Sequence, residues 1–389
     1  MNLIHKLNKA RSGINIPRAV IATICILPVV LIGLFYLLRH NSGVMSGIED
    51  HFSGAVRGFL GLLSSVFPFS VTEVLIAAAI IWLVYYIIRT VRIIRHSSGK
   101  LYFLGRRVLP VAVVALYCWG LFNLLWNVGY HTPGFAEKNG FRGDNVTVSN
   151  LTAVTRFFAD NANELSRLVD RDDDGRYIGN RRVVFAESKG VYHTAASLFP
   201  CLEGRLYRPK PMLFSWLMSR TGYTGMYLAL TGEVNINIKP PGFFLPVTVS
   251  HEHAHQLGIF AEDEASFVGI LACITSGNVV FEYAGYLSGL IYLLNALSVE
   301  DVETWLEIYS GLSTEIKQDW QDNRDFWQAQ KKVETGVKFI DDALTSVTRV
   351  VSDTVDTVYD GYLKSQDQEL GIRSYGACVD LLVEYFSVN

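Results

Sequence analysis

Residues 249–267 read VSHEHAHQLGIFAEDEASF and place three histidines within five positions, followed by a cluster of acids. His251, Glu252 and His255 form the pattern H-E-x-x-H. On a helix, residues four positions apart lie on one face, so the two imidazoles can bind one metal ion together. Glu252 lies at the edge of that face, where it can accept a proton from a zinc-activated water, whereas His253 points to the other side. The stretch therefore predicts a zinc site (Zn2+) with Glu252 as the general base.

A histidine pair needs a third protein ligand if the zinc is to keep one position open for water. Residues 256–258 are predicted to end the first helix, with Gly258 as the stop. The acids at 262–264 then open a second, apolar helix, and a tight helix-turn-helix brings them back over the histidines. Spacing alone leaves both Glu262 and Glu264 as candidates for the third ligand.

The composition indicates a membrane protein. Half of the 389 residues are hydrophobic, and the mean hydropathy of +0.24 is high for a purely soluble protein. The net charge of −3 provides no basic field of the kind that binds nucleic acid. The five cysteines are dispersed, odd in number and without C-x-x-C spacing, which argues against a disulfide framework and against a cysteine zinc site.

Three long apolar runs occupy the first third of the chain, at residues 19–38, 68–88 and 108–128. Each run has about 20 residues, the length that a helix needs to cross the hydrocarbon core of a bilayer. The first run is followed by no small-x-small cleavage site of a signal peptide. We therefore expect residues 1–130 to form a transmembrane region with three helices, as part of a multi-pass membrane protein.

The distribution of Lys and Arg predicts the orientation of these helices. Basic residues are concentrated before the first run and between the second and third runs, namely Lys6, Lys9, Arg11, Arg18, Arg89, Arg92, Arg95, Lys100, Arg106 and Arg107. Because cytoplasmic loops carry the excess of positive charge, the N-terminus is expected in the cytoplasm and residues 131–389 outside it, at the cell membrane. Residues 48–67, in the outer loop, look amphipathic and are expected to lie along the membrane interface.

From His131 onward the composition is that of a soluble domain, which we expect to be mostly α, of the α+β class. RRVVFAES at 181–188 and MYLALTGEVNINI at 226–238 are predicted as strands, because each is rich in β-branched and aromatic residues and bounded by Gly or Pro. The second of these segments runs into the histidine cluster. A small sheet is therefore expected before the H-E-x-x-H helix.

The segment DRDDDG at 170–175 leaves two alternatives open. Asp170, Asp172, Asp174 and Gly175 match the first half of a calcium-binding loop. The twelfth position of that loop, which requires a bidentate Glu, is occupied by Arg181. The segment is therefore either a solvated acidic turn or a looser calcium site.

The apolar segment 278–297 also has two interpretations. Its length allows a fourth transmembrane helix. Its interruption by the polar residues Asn278, Glu282, Ser288 and Asn295 favours a buried helix beneath the site.

Several segments of the chain resemble the domain-of-unknown-function family 3810 of bacterial membrane proteins; they are TGEVNI, PVTVSHEHAHQLG with EDEASF, FEYAGYLSGLIYLLNAL, and the C-terminal YLK and GIRSYG. The resemblance covers nearly the whole chain. It implies a few N-terminal membrane helices followed by an H-E-x-x-H domain.

The stretch from Glu262 to Ser266 is similar to the E-x-x-A-D/N pattern of gluzincin-type zinc metallopeptidases. This similarity implies that Glu262 is the third zinc ligand, with Glu264 as the alternative. It also implies that Ser266 hydrogen-bonds a ligand histidine, although Ser departs from the Asp or Asn of that pattern. The likeness further implies a zincin-like domain that hydrolyses peptide bonds.

For the hydrolysis itself, Glu252 is expected to take a proton from the zinc-activated water and pass it to the leaving amine. Tyr375 is the predicted oxyanion donor, with Tyr362 and Arg373 as alternatives. An extended peptide is expected to pair along the segment 225–237.

The expected function is thus a membrane-anchored zinc metalloendopeptidase that cleaves a peptide or protein substrate outside the cytoplasm. The expected partners are that substrate and the lipid bilayer, and nucleic acid is excluded. The alternative is a zinc-binding membrane sensor or transducer, or an assembly protein with a metallopeptidase-like domain. Glu252 favours the enzyme, because a purely structural zinc site needs no general base. No sequence pattern predicts an oligomeric state.

Overall fold

The computed structural model describes residues 17–96, 99–142, 146–331, 338–366 and 375–388. Four residues named above lie outside this part of the chain, namely Lys6, Lys9, Arg11 and Arg373. Tyr375 begins the last helix, but its side chain is not among those described.

The first third of the described chain is helical. Its helices are α1 (Arg18–Leu38), α2 (Ser42–Ile48), α3 (Gly54–Ser65), α4 (Val71–Arg95) and α5 (Lys100–Leu125), with a π-helical turn at Glu49–Ser53. Helices α1, α4 and α5 coincide broadly with the predicted apolar runs, and each is long and apolar enough to cross a membrane. Only 6%, 11% and 11% of the residues in their most apolar stretches are buried within the protein, as expected of helices that face lipid.

The remainder of the chain is mostly helical, with one small sheet. In chain order it contains a 3₁₀ turn at Asn127–His131, α6 (Phe135–Asn139), α7 (Val148–Leu165), α8 (Arg181–Glu187), α9 (Tyr192–Leu198), a 3₁₀ turn at Pro200–Leu202, β1 (Lys210–Pro211), α10 (Ser215–Arg220), β2 (Gly225–Leu228), β3 (Glu233–Ile236), a 3₁₀ turn at Gly242–Phe244, α11 (Leu245–Gln256), α12 (Glu262–Ile274), α13 (Val279–Glu300), α14 (Val302–Ser310), α15 (Thr314–Gln330), α16 (Lys338–Ser365) and α17 (Tyr375–Val388). The prediction of a mostly α fold with a small sheet before the H-E-x-x-H helix is confirmed.

The sheet has the strand order β1-β3-β2. β1 runs parallel to β3, with Lys210 opposite Asn235, and β2 runs antiparallel to β3, with Gly225 opposite Ile236. β2 is therefore an edge strand of the described sheet, and its outer side has no strand partner there. Such an edge can pair with another extended chain.

The prediction of a strand at 181–188 is wrong, because these residues form the helix α8. The side chain of Asn180 caps its N-terminus by accepting hydrogen bonds from the backbone N–H groups of Arg182 and Val183. Val184 and Phe185 are buried in the core, where α8 contacts α11. The cap and this burial outweigh the strand preference of the two adjacent valines.

Helix α13 corresponds to the apolar segment 278–297. It packs against α7, α11, α12 and α17, and 56% of its most apolar stretch is buried within the protein. By length and composition alone it is a fourth candidate for a membrane span. Its burial within the domain favours the interpretation as a core helix.

The segment from α3 to the start of α4 packs on the sheet, although it precedes residue 130. The ammonium group of Lys210 donates to the Glu233 carboxylate at 3.0 Å and to the backbone oxygens of Ser64 and Phe67 at 2.7 Å. Glu233 in turn accepts hydrogen bonds from the backbone N–H groups that begin α4. This buried network ties the second apolar helix to the domain that carries the histidines.

The acidic segment 170–175 forms a turn stabilised by its own backbone. The Asp172 carboxylate accepts hydrogen bonds from the N–H groups of Asp174 and Arg176. The neighbouring Arg171 pairs with the buried Asp319 of α15, with two N–O distances of 2.9 Å. The turn thus joins α7 to α15.

Candidate metal centre

Helix α11 ends in a tight turn that brings α12 back beside it. Gly258 adopts the left-handed conformation, with φ at 91°. The N–H of Ile259 donates to Ala254 at 3.0 Å and that of Gly258 to His255 at 3.1 Å, the two hydrogen bonds of a Schellman motif. Only three residues then separate Gly258 from Glu262, which begins α12. The predicted helix-turn-helix with Gly258 as the stop is present.

The turn brings Glu262 next to the two histidines of the motif. Oε2 of Glu262 lies 3.2 Å from Nε2 of His251 and 3.7 Å from Nε2 of His255. One ligand atom from each of the three residues lies within 4.8 Å of the others. Among the described residues, no other three His, Cys, Asp or Glu side chains converge in this way.

The opposite ring nitrogens are held by neighbouring oxygens. Nδ1 of His255 lies 2.7 Å from the carbonyl oxygen of Ile259, to which it donates. Nδ1 of His251 lies 3.3 Å from Oγ of Ser266. These contacts leave the Nε2 atoms directed at the point that Glu262 faces, which is how ligand histidines are held in metal sites. Two imidazoles and one carboxylate are also a donor set that zinc uses in catalytic sites, so the residues present fit a zinc ion.

A close contact between the two helices makes this arrangement possible. A Cβ atom added at Gly269 of α12 would lie only 2.9 Å from the backbone nitrogen of His251 and 3.0 Å from its Cα. Glycine at this position therefore allows α12 to pack directly on the part of α11 that carries the first histidine.

Glu252 is buried beside the edge strand β2. Its carboxylate lies so close to Gly225 that a Cβ atom there would come within 2.5 Å of Oε1. Burial raises the pKa of Glu252 above its ordinary value, although the nearby His251 and His255 oppose this shift. A carboxylate with a raised pKa binds a proton more readily and is suited to accept one and then return it.

Two further polar residues of the stretch 249–267 form hydrogen bonds away from the candidate metal site. The Glu264 carboxylate accepts hydrogen bonds from the N–H groups of Phe135 and Ala136 at 2.7 and 2.8 Å, and so caps the start of α6. His253 is buried, and its Nε2 lies 3.1 Å from the carbonyl oxygen of Tyr207. Neither side chain belongs to the group formed by His251, His255 and Glu262.

A tyrosine that the sequence analysis did not single out contacts the site. The hydroxyl of Tyr359, on α16, donates to Oε1 of Glu262 at 2.5 Å. Burial and the Glu262 carboxylate both raise the pKa of Tyr359, so that it stays a donor. Tyr362, one turn later on the same helix, instead donates to Oδ1 of Asn127. No local sequence pattern signalled this contact, because Tyr359 and Glu262 are 97 positions apart.

The site opens into a cleft of about 1880 Å³. Its walls include the three candidate ligands and Glu252, the whole of β2, and residues of α5, α10, α15 and α16. The edge strand β2 therefore runs along the cleft in which Glu252 lies. This arrangement leaves room for an extended peptide beside the site.

A family model described as "Protein of unknown function (DUF3810)" matches residues 50–383, which is most of the chain. No curated protein matches the chain, and no solved structure does.

Proposed function

The chain belongs to the DUF3810 family, and we propose that it is a membrane-anchored zinc metalloendopeptidase that acts outside the cytoplasm. The observation that carries the proposal is the convergence of Glu262 with His251 and His255, next to a buried Glu252 and an edge strand. A site that served only to bind a structural metal would need neither the general base nor the cleft. The likeness of the motif to gluzincins, and hence a zincin-like fold of this domain, belongs to the same proposal.

In the proposed mechanism His251, His255 and Glu262 hold the zinc, which when bound would polarise the scissile carbonyl and activate water. Glu252 accepts the proton of the attacking water and then delivers it to the leaving amine. A substrate paired along β2 would pass directly by Glu252, because the carboxylate packs against Gly225 at the start of that strand. The oxyanion donor remains the predicted Tyr375.

The proposed anchoring uses α1, α4 and α5 as three membrane spans. Their apolar surfaces are largely exposed, in contrast to that of α13. The basic residues Arg92 and Arg95 lie in the last turn of α4, whereas the site lies beside the far end of α5. There the rings of Trp126 and His255 are 5.4 Å apart. With the basic ends in the cytoplasm, the site faces the outer side of the membrane.

The test is the purified full-length protein and its Glu252→Gln variant. Both are expected to carry about one equivalent of zinc, because Glu252 is not among the ligands of a site of this type. The variant is expected to cleave an unfolded protein such as casein about 10²- to 10⁴-fold more slowly, the usual contribution of a general base. Glu203→Gln, at an exposed position, is the matched control and should behave as wild type. A wild-type protein without zinc, or a fully active Glu252→Gln variant, would contradict the proposal.

A second candidate function, a zinc-dependent sensor, is favoured by one feature of α16. The helix contacts Glu262 through Tyr359, and its last turn reaches the membrane helices, where a guanidinium nitrogen of Arg39 donates to the carbonyl oxygen of Ser365 at 3.1 Å. A change at the metal site could pass along this helix to α1. A cellular phenotype that depends on Glu262 but survives Glu252→Gln would support the sensor over the enzyme.

A further inference from the structure

A cluster of apolar side chains on the surface surrounds the start of α4. Its members, called the apolar rim below, belong to the α3–α4 connection and to the start of α10; they are Val66, Phe67, Leu213, Phe214, Trp216 and Leu217. Leu213 is 79% exposed, Val66 76% and Trp216 53%. Contiguous exposed apolar side chains of this size mark a surface that meets a partner.

Hydrogen bonds fix the position of the rim along the axis of α4. Glu73 lies in the first turn of that helix. Its carboxylate accepts hydrogen bonds from the backbone N–H groups of Leu213 and Phe214, each at 2.8 Å. The ammonium group of Lys210 binds the carbonyl oxygen of Phe67 at 2.7 Å. Both parts of the rim are therefore fixed to the beginning of α4.

The length of α4 places that beginning at the edge of a bilayer. The helix carries Glu73 in its first turn and Arg92 in its last. At about 1.5 Å per residue, these two charges are about 30 Å apart, which is the thickness of the hydrocarbon core. If Arg92 lies at one surface of the membrane, Glu73 and the rim lie at the other.

We propose that the apolar rim rests in the interfacial layer of the lipid bilayer. The surface is continuous with a helix of membrane-spanning length and composition, which argues for lipid rather than for a second protein. Tryptophan and phenylalanine are also residues that favour the level of the headgroups. The rim thus adds a second contact with the membrane to the proposed spans.

The rim also forms part of the wall of the cleft. Leu217 belongs to the rim and also lines the cleft, as does Phe122 near the end of α5. Docking of the rim therefore places the wall of the cleft that contains Leu217 at the membrane surface. This step rests on the proposed peptidase function. The substrate is then a peptide segment close to the bilayer, such as the stalk of a membrane-anchored protein.

Quenching of tryptophan fluorescence by brominated lipid tests the docking on the full-length chain. The protein is reconstituted into phosphatidylcholine nanodiscs, with and without bromine on the upper acyl chain. The chain has seven tryptophans, so the emission of Trp216 is obtained as the difference between wild type and Trp216→Phe. We expect this difference to lose most of its intensity in the brominated lipid. Trp305→Phe is the matched control on α14, and its difference should be equal in both lipids.

A second variant tests whether the Trp216→Phe difference reports on the rim itself. Leu213→Trp in the Trp216→Phe background moves the probe within the rim, and its emission should again be quenched by bromine. Equal emission in both lipids, with ready quenching by aqueous acrylamide, would place the rim in water and overturn the proposal. Protection from both quenchers would indicate a covering protein and would overturn it too. The measurement needs no peptidase activity, so its outcome is separate from that of the Glu252→Gln test.

Discussion

The hydroxyl of Tyr359 donates a 2.5 Å hydrogen bond to Oε1 of Glu262, while Oε2 of the same carboxylate faces the two imidazoles of the H-E-x-x-H motif. The two oxygens of Glu262 thus have separate partners, one on α16 and one at the candidate metal site. A carboxylate held on one oxygen presents the other in a defined direction. Helix α16 is therefore part of the construction of the site.

Tyr359→Phe is expected to weaken zinc binding about 10- to 100-fold, because loss of a hydrogen bond to a ligand carboxylate lets it reorient. Tyr362→Phe is the matched control one turn away, since its hydroxyl contacts Asn127 and not Glu262. The measurement is competition for zinc with a chromophoric chelator. Equal affinities of the two variants would show that the hydroxyl of Tyr359 does not position Glu262.

Two amide substitutions test whether Glu262 or Glu264 binds the zinc. Glu262→Gln is expected to lose most of the bound zinc, because the amide removes the charged donor at the site. Glu264→Gln should keep the zinc, but lower the free energy of unfolding by about 1–3 kcal/mol, since it weakens two hydrogen bonds to a charged group. Elemental analysis and chemical denaturation measure the two effects. The reverse pattern would make Glu264 the ligand.

Zinc binding is expected to be accompanied by the release of about one proton at pH 7. Burial alone would lower the pKa of His255, but the Glu262 carboxylate outweighs it and raises the pKa to about 9. In the metal-free protein His255 is therefore protonated at pH 7, and it must lose that proton before Nε2 can bind a metal. The affinity for zinc should then rise with pH until about pH 9 and level off above it.

Calorimetry in buffers of different ionisation enthalpy measures the number of protons released. The wild-type value at pH 7 is compared with that at pH 9.5, where His255 is mostly neutral and its own contribution to the release should be much smaller. A release well below one proton at pH 7 would show that Glu262 does not hold a proton on His255 in the metal-free protein.

Gly269→Ala is expected to impair zinc binding and to destabilise the domain by about 1–3 kcal/mol, the usual cost of overpacking. The new Cβ would press on the backbone of His251, which cannot move aside as a flexible side chain could. Gly361→Ala on α16 is the matched control, because a Cβ there meets nothing within 4 Å. Zinc content and the denaturation midpoint should fall in the first variant only. Normal zinc content in Gly269→Ala would mean that α12 can shift without disturbing the site.

Local pattern was sufficient for much of the architecture. The apolar runs, the turn at Gly258 and the position of the small sheet all follow from neighbours within a few residues, because helical periodicity and turn chemistry are local properties. The strand predicted at 181–188 failed for the opposite reason. The cap from Asn180 is local, but the burial of Phe185, which also opposes the strand preference of the valines, depends on tertiary packing.

The sequence by itself determined the histidine pair and the neighbouring Glu252, because residues four apart on a helix share a face without tertiary information and Glu252 lies at the edge of that face. Spacing alone left Glu262 and Glu264 open and only the resemblance to gluzincins favoured Glu262, whereas the tertiary structure places Glu262 against the imidazoles and uses Glu264 to cap α6. The tertiary structure alone brought Tyr359 to the site from 97 positions away. Contacts across such separations depend on how the helices pack, which no pattern within a single helix encodes.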